Sequence, residues 1–294
     1  MRSPDPPGNT RIFAVCGKGG VGKTSLSAVI VKLLCENKAA RILAIDADPA
    51  VGLATALGMT VTKTIDDIRT SLIRRVKAGE NADKEDLLAL IDYEIFDAIA
   101  EKDNLGLLAI GRPETEGCYC RVNTFLKDII KSTAWHFDFV VIDGEAGIEQ
   151  VNRRVMEAVN YLVLVSDASA KGLNVVKDIE EVARQAVQYE KAMLILNRIR
   201  DPEEAEKISG RTELPLAGWI PEDDLLREYD IEGRSILELP ETGAMESVRQ
   251  ALNRFHLLKE FPETFGRCGH CRLRTRRGCR GPGPDPGRPQ GDHH

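Results

Sequence analysis

Short, almost unbroken apolar runs punctuate the chain. They are Arg11–Cys16 (RIFAVC), Arg41–Asp46 (RILAID), Gly106–Gly111 (GLLAIG), Asp138–Asp143 (DFVVID), Tyr161–Ser166 (YLVLVS), Ala192–Asn197 (AMLILN) and Leu216–Ile220 (LAGWI). Runs of this length without polar alternation suit strands buried on both faces of a parallel sheet. Stretches of helical character lie between them: Thr24–Asn37, Lys84–Ala100, Val122–Lys131, Gly172–Tyr189 and Met245–Lys259. The alternation predicts an α/β fold, a doubly wound, mostly parallel sheet with helices on both faces. No repeat or linker interrupts residues 11–261. Residues 1–10 read as a disordered leader. Residues 262–294 are rich in Arg, Gly and Pro, with too few apolar residues to bury a core, and read as an extended tail.

Composition narrows the function classes. With 294 residues and 43% hydrophobic content, the chain can build one large domain. A net charge of -6 argues against wholesale nucleic-acid binding. No run approaches the roughly 20 apolar residues of a membrane span, and the first residues lack the apolar core of a secretory signal. The 7 cysteines, an odd number in a chain of this size, fit reduced thiols or metal ligands better than a disulfide scaffold. A cytoplasmic protein follows by elimination.

Candidate chemistry begins after the first strand. Gly17-Lys18-Gly19-Gly20-Val21-Gly22-Lys23-Thr24 fits the phosphate-loop pattern G-x-x-x-x-G-K-[ST], with Ser25 next, in the required strand–loop–helix setting. Glycines let backbone N–H groups converge on phosphate oxygens, and the helix N-terminus attracts the anion. Lys23 is expected on the β- and γ-phosphates and the Thr24 hydroxyl on Mg²⁺. The string KGGVGKTS, with Lys18 early in the loop, resembles the deviant Walker A group, which includes MinD, ParA and the nitrogenase iron protein. The resemblance implies that Lys18 crosses a homodimer interface to the partner's nucleotide, as an arginine finger does. The plain alternative is a solvated lysine.

Three carboxylates end strands, where ligands gather in an open parallel sheet. By the same resemblance, Asp48 of the Asp48-Pro49 pair orients the attacking water, and Asp46 supports the magnesium shell or the loop. Asp143 looks like the Walker B acid, acting on Mg²⁺ through water. Residues 144–147 (GEAG) read as a switch that senses the γ-phosphate. Singly, each acid could be a helix cap. Asn197 and Pro221 follow strands at places where the group contacts adenine, and no guanine signature is visible, so ATP is expected over GTP.

Cys118-Tyr119-Cys120 offers two thiols that project the same way in extended backbone. A tetrahedral site needs four ligands, which a two-fold dimer would complete. Thiolates suit Zn²⁺, Cu(I) or square-planar Ni²⁺; two half-buried small hydrophobes are the alternative. CYCR, taken with DGEAGIEQVNRR after the Walker B strand, is similar to CooC and the related AcsF-type proteins, ATPases that aid nickel insertion into carbon monoxide dehydrogenase or acetyl-CoA synthase. The resemblance runs from about Arg11 to about Lys259 and implies an interfacial Ni²⁺ or Zn²⁺ site on Cys118 and Cys120, a homodimer, and a nickel-enzyme client. It departs at Gln150, where the family carries His, and in the tail, where Cys268, His270, Cys271 and Cys279 form at most a weak zinc half-site. The alternatives are a MinD- or ParA-like regulatory ATPase and an iron–sulfur electron-donating ATPase. The side-by-side cysteines disfavour the latter. Cys16 and Cys35 read as core residues.

Overall fold

The computed structural model describes residues 10–77, 84–112, 120–144, 158–186 and 188–255. Residues 1–9 of the expected leader 1–10, Cys118, the 145–147 part of the expected switch, Gln150, the expected domain end at 261 and the tail lie outside the described residues, while Thr10 donates its hydroxyl to the Phe137 carbonyl at 2.9 Å. Among those described, β1 (Arg11–Gly17), β2 (Ile42–Asp46), β3 (Ala100–Lys102), β4 (Leu105–Ala109), β5 (Phe139–Asp143), β6 (Ala158–Ser166), β7 (Gln188–Asn197) and β8 (Leu216–Ile220) join one sheet. Their order is β3-β4-β2-β5-β1-β6-β7-β8. Every pairing is parallel except β3 with β4. The helices are α1 (Lys23–Cys35), α2 (Gly52–Leu57), α3 (Ile65–Lys77), α4 (Lys84–Ala98), α5 (Cys120–Ala134), α6 (Ala170–Ala186), α7 (Pro202–Ser209), α8 (Asp224–Glu232) and α9 (Gly243–Arg254), with a 3-10 turn at Ile236–Glu238.

The expected doubly wound sheet is therefore present. The apolar runs of β2, β4 and β5 are buried along their whole length, as strands covered on both faces must be. One core cluster joins Ala14, Ile45 and Ile142 of the sheet to Ile68, Ile95 and Ile130 of α3, α4 and α5. Phe13 stacks on Tyr161 at 5.0 Å and on Phe139 at 6.4 Å, tying three adjacent strands. Full burial of each such side chain stabilises the fold by about 1.5–3 kcal/mol.

Several boundaries differ from the sequence reading. The helix expected through Ala100 stops at Ala98, because Ala100–Lys102 turns back antiparallel onto β4 through Asp103, at φ 54°, and Asn104. A three-residue polar edge strand carries no apolar pattern to announce it. The helix expected through Tyr189 stops at Ala186, since Tyr189 belongs to β7 and pairs with Val159. Here β7 runs past the sheet's apolar centre, and its first residues, largely exposed, look polar. Four helices were not anticipated: α2, α3, α7 and α8.

The connectivity fixes where chemistry can occur. From β1 the chain crosses β5 to reach β2, whereas β6 lies on the opposite side of β1. The carboxyl end of β1 is thus a switch point, where open α/β sheets bind ligands. Gly17 to Thr24 occupy that end.

Candidate functional site

At Gly17, β1 passes so close to β6 that any Cβ would lie 2.3 Å from the Val165 carbonyl oxygen. Gly22 has φ 88° and is the N-cap of α1, without a side-chain cap. A Cβ there would meet Asn197 Nδ2 at 2.4 Å. The helix start therefore keeps free backbone donors. Its first residue is Lys23, only 8% exposed, and no acid occupies its first turn. A buried cation at the positive end of a helix is unfavourable by itself, and an anion would remove the conflict. The Lys23 ammonium donates to the Lys18 carbonyl at 3.2 Å, folding back over the loop. Thr24 and Ser25 are half-buried on the same first turn.

Asp46 and Asp143 are register partners on adjacent strands, and both are buried. Burial, then the neighbouring Asp143, pushes the Asp46 carboxyl up to about 7, although three backbone donors oppose the shift. Asp46 Oδ1 accepts from the Asp48 N–H at 3.2 Å; Oδ2 accepts from the N–H groups of Leu53 at 2.8 Å and Ala54 at 3.4 Å. Burial also raises Asp143, to about 6, against hydrogen bonds from Thr24 and Ser27 and the charge of Lys23. Asp143 Oδ1 accepts from Ser27 Oγ at 3.0 Å. Its Oδ2 is buried and has no hydrogen-bond partner. An orphaned carboxylate oxygen beside a threonine hydroxyl is a donor set of the kind that hard cations prefer, so the residues present fit magnesium.

Asp48 stands in the loop after β2, half-buried, and accepts from the Ala50 N–H at 2.8 Å. Val51 follows at φ 53°, an unusual conformation for a β-branched residue and one that collects at functional loops. Lys18 pairs with Asp167 at 3.7 Å, both partly exposed. Asn197 donates from Nδ2 to the Val21 carbonyl at 2.8 Å, and Arg198 reaches the Gly20 carbonyl at 3.4 Å. The end of β7 therefore braces the phosphate loop from outside. Pro221 directly follows β8, where the Ile199 N–H donates to the Ile220 carbonyl at 3.0 Å.

The structure thus gathers Gly17–Ser25, Asp46, Asp48, Asp143 and Asn197 at one end of the sheet. Ser27, Asp167 and Arg198 belong to the same neighbourhood and were missed. Only Ser27 had a detectable signal, a polar residue inside the apolar run of α1. Cys120 is the first residue of α5, while its expected partner Cys118 lies outside the described residues. Cys16 is fully buried and its thiol is pushed up to about 12, chiefly by burial. Cys35 is raised to about 11, again mainly by burial. Both are inert core thiols, as expected.

Among the described residues no helix is long and apolar enough to cross a membrane. A chain of 38% identity is an uncharacterized ATP-binding protein of Methanocaldococcus jannaschii, aligned over 79% of this chain and 92% of that one. The carbon monoxide dehydrogenase accessory protein CooC of Rhodospirillum rubrum is 30% identical over 77% of this chain and 89% of its own length. The septum site-determining protein MinD of Pyrococcus horikoshii, solved with Mg-ADP, shares the fold with a TM-score of 0.60 at 23% identity, covering 85% of this chain and 97% of that one. The CobQ/CobB/MinD/ParA nucleotide binding domain matches residues 12–236. With its phosphate loop, uncapped α1 and paired strand-end acids at the switch point, the chain belongs to that family of nucleotide-binding ATPases.

Proposed function

We propose that the chain is an ATP-hydrolysing metallochaperone, acting as a nucleotide-dependent homodimer that assists nickel insertion into an enzyme of the carbon monoxide dehydrogenase or acetyl-CoA synthase type. The observation that carries this reading is the sequence Cys118-Tyr119-Cys120, whose last residue opens α5, in a chain 30% identical to CooC. A cytoplasmic setting, where thiols stay reduced, suits such a pair.

The site supplies parts for hydrolysis. The α1 N-terminus and loop amides bind the phosphates, with Lys23 turning from the Lys18 carbonyl onto the β- and γ-phosphates. Thr24 and, through water, Asp143 would hold magnesium, which neutralises charge on the β- and γ-oxygens when bound. Asp46 keeps the β2–α2 loop in place through its backbone hydrogen bonds, and Asp48 orients the attacking water. That water's oxygen bonds to the γ-phosphorus while the bond to the β,γ-bridging oxygen breaks, releasing ADP and phosphate. Lys18 leaves Asp167 to reach the partner's nucleotide, so ATP favours the closed dimer. Asn197 and Pro221 flank the adenine. Closure would bring two Cys118/Cys120 pairs together around Ni²⁺ or Zn²⁺, the cargo. Transfer requires that metal affinity differ between the nucleotide states.

The test is anaerobic purification followed by nickel and zinc analysis with ADP and with ATP, beside Cys118→Ser/Cys120→Ser. About one metal ion per dimer, lost in the variant, is the expected result. Metal retained in the variant would relocate the site. No metal in any state would leave a MinD-like regulatory ATPase, the second reading, which the fold likeness to MinD favours.

A further inference from the structure

Ser27 lies three residues beyond Thr24 on α1, completely buried, and is followed by the apolar run Ala28–Val31. Serine is a mediocre helix former, and a buried hydroxyl is costly unless it is bonded. The bond it makes is to Asp143 Oδ1, at 3.0 Å. The last torsion of an aspartate is broad, so the strand does not set the plane of the carboxylate. The Thr24 hydroxyl also reaches this carboxyl, but Thr24 is the residue that would turn to the ion, which leaves Ser27 as the donor that holds Oδ1 and can set the plane. The other oxygen, Oδ2, is buried and unpartnered.

We propose that Ser27 is a positioning residue for the magnesium site: by holding Asp143 Oδ1, it presents Oδ2 to the water shell of the ion bound with nucleotide. The inference rests on the nucleotide-hydrolase reading above. Groups that orient a metal-binding carboxylate typically change metal affinity by 10- to 100-fold when removed. Ser27 acts one step further out through a water-mediated contact, which places its effect at the lower end of that range.

The experiment is equilibrium binding of a fluorescent ATP analogue, titrated with Mg²⁺ and repeated in EDTA, so that binding is read without turnover. Ser27→Ala is expected to need about tenfold more Mg²⁺ for half-maximal binding, with affinity in EDTA unchanged. Ser27→Thr, which keeps the hydroxyl, should retain the native requirement, whereas Ser27→Val, its near-isostere, should behave as the alanine variant does. In an Asp143→Asn background, Ser27→Ala should add nothing. A native Mg²⁺ requirement in Ser27→Ala would overturn the proposal. So would an equal loss of affinity with and without Mg²⁺, since that is the mark of a packing role. If Ser27→Ala fails to fold, the Thr and Val variants decide by the same criterion. Failure of the native protein to bind the analogue in Mg²⁺ would remove the hydrolase reading itself, and is seen before any variant is made.

Discussion

Gly22 leaves the start of α1 without a side-chain cap and Lys23 sets a buried cation there, an arrangement that favours a bound phosphate. Gly22→Ala places a Cβ at φ 88° and 2.4 Å from Asn197 Nδ2, so the side chain that braces Val21 must move. The expected outcome is a destabilisation of about 1–2 kcal/mol from the left-handed backbone, with nucleotide binding lost; thermal melts with and without Mg-ATP check both. Lys23→Met removes a buried cation from the positive end of α1. Without nucleotide, loss of the unfavourable dipole interaction offsets loss of the attraction to Asp143, so the variant should melt close to the native protein. With ATP it should lose the ligand-induced rise in Tm that follows from binding the folded state. A variant that still gained stability from ATP would remove Lys23 from the phosphate site.

At the scale of elements, the caps separate local from tertiary causes. Thr64 and Asp67 form a reciprocal box at the start of α3, with the Asp67 N–H donating to Thr64 Oγ1 at 3.2 Å and the Thr64 N–H donating to Asp67 Oδ2 at 2.8 Å. Asp201, Asp223 and Thr242 cap α7, α8 and α9 in the same local way. The short helix α2 has no such signal. Its N-cap, Val51, offers no side-chain acceptor, and the donors of Leu53 and Ala54 are met by Asp46 at the end of β2. Asp46→Ala should therefore cost about 1–3 kcal/mol and raise amide hydrogen exchange at Leu53 and Ala54 while the caps of α7 to α9 stay protected. Uniform loss of protection across the domain would show that Asp46 has no particular hold on α2.

For the whole molecule, the two buried acids set a pH dependence. In the fold the carboxyls of Asp46 and Asp143 are pushed up from the ordinary 3.8 to about 7 and about 6, chiefly by burial. The folded state thus holds protons that the unfolded chain has released. Their favourable contribution is complete below about pH 4 and is lost as pH rises through 6 to 7. The nucleotide-free protein should lose stability between about pH 4 and pH 7 in calorimetry at fixed salt. Asp143→Asn should flatten that slope, because its amide does not ionise; an unchanged slope would mean that the Asp143 carboxylate is solvated.

The alternation of apolar runs and helical stretches was enough to specify a doubly wound sheet, because a strand buried on both faces admits few polar residues. The loop at residues 17–24 was legible for a related reason: phosphate binding by backbone donors needs glycines, a lysine and a hydroxyl at fixed local spacing. Asp46, Asp48 and Asp143 could be placed at strand ends, yet their division of labour could not. Whether a carboxylate faces Leu53 and Ala54, or keeps Oδ2 unpartnered, depends on residues up to 116 positions away in the chain. The brace from Asn197 to Val21 and the pairing of Lys18 with Asp167 are likewise contacts between segments distant in sequence. Local spacing thus determined which chemistry the chain can carry, and tertiary packing decided which oxygen and which nitrogen remain free to perform it.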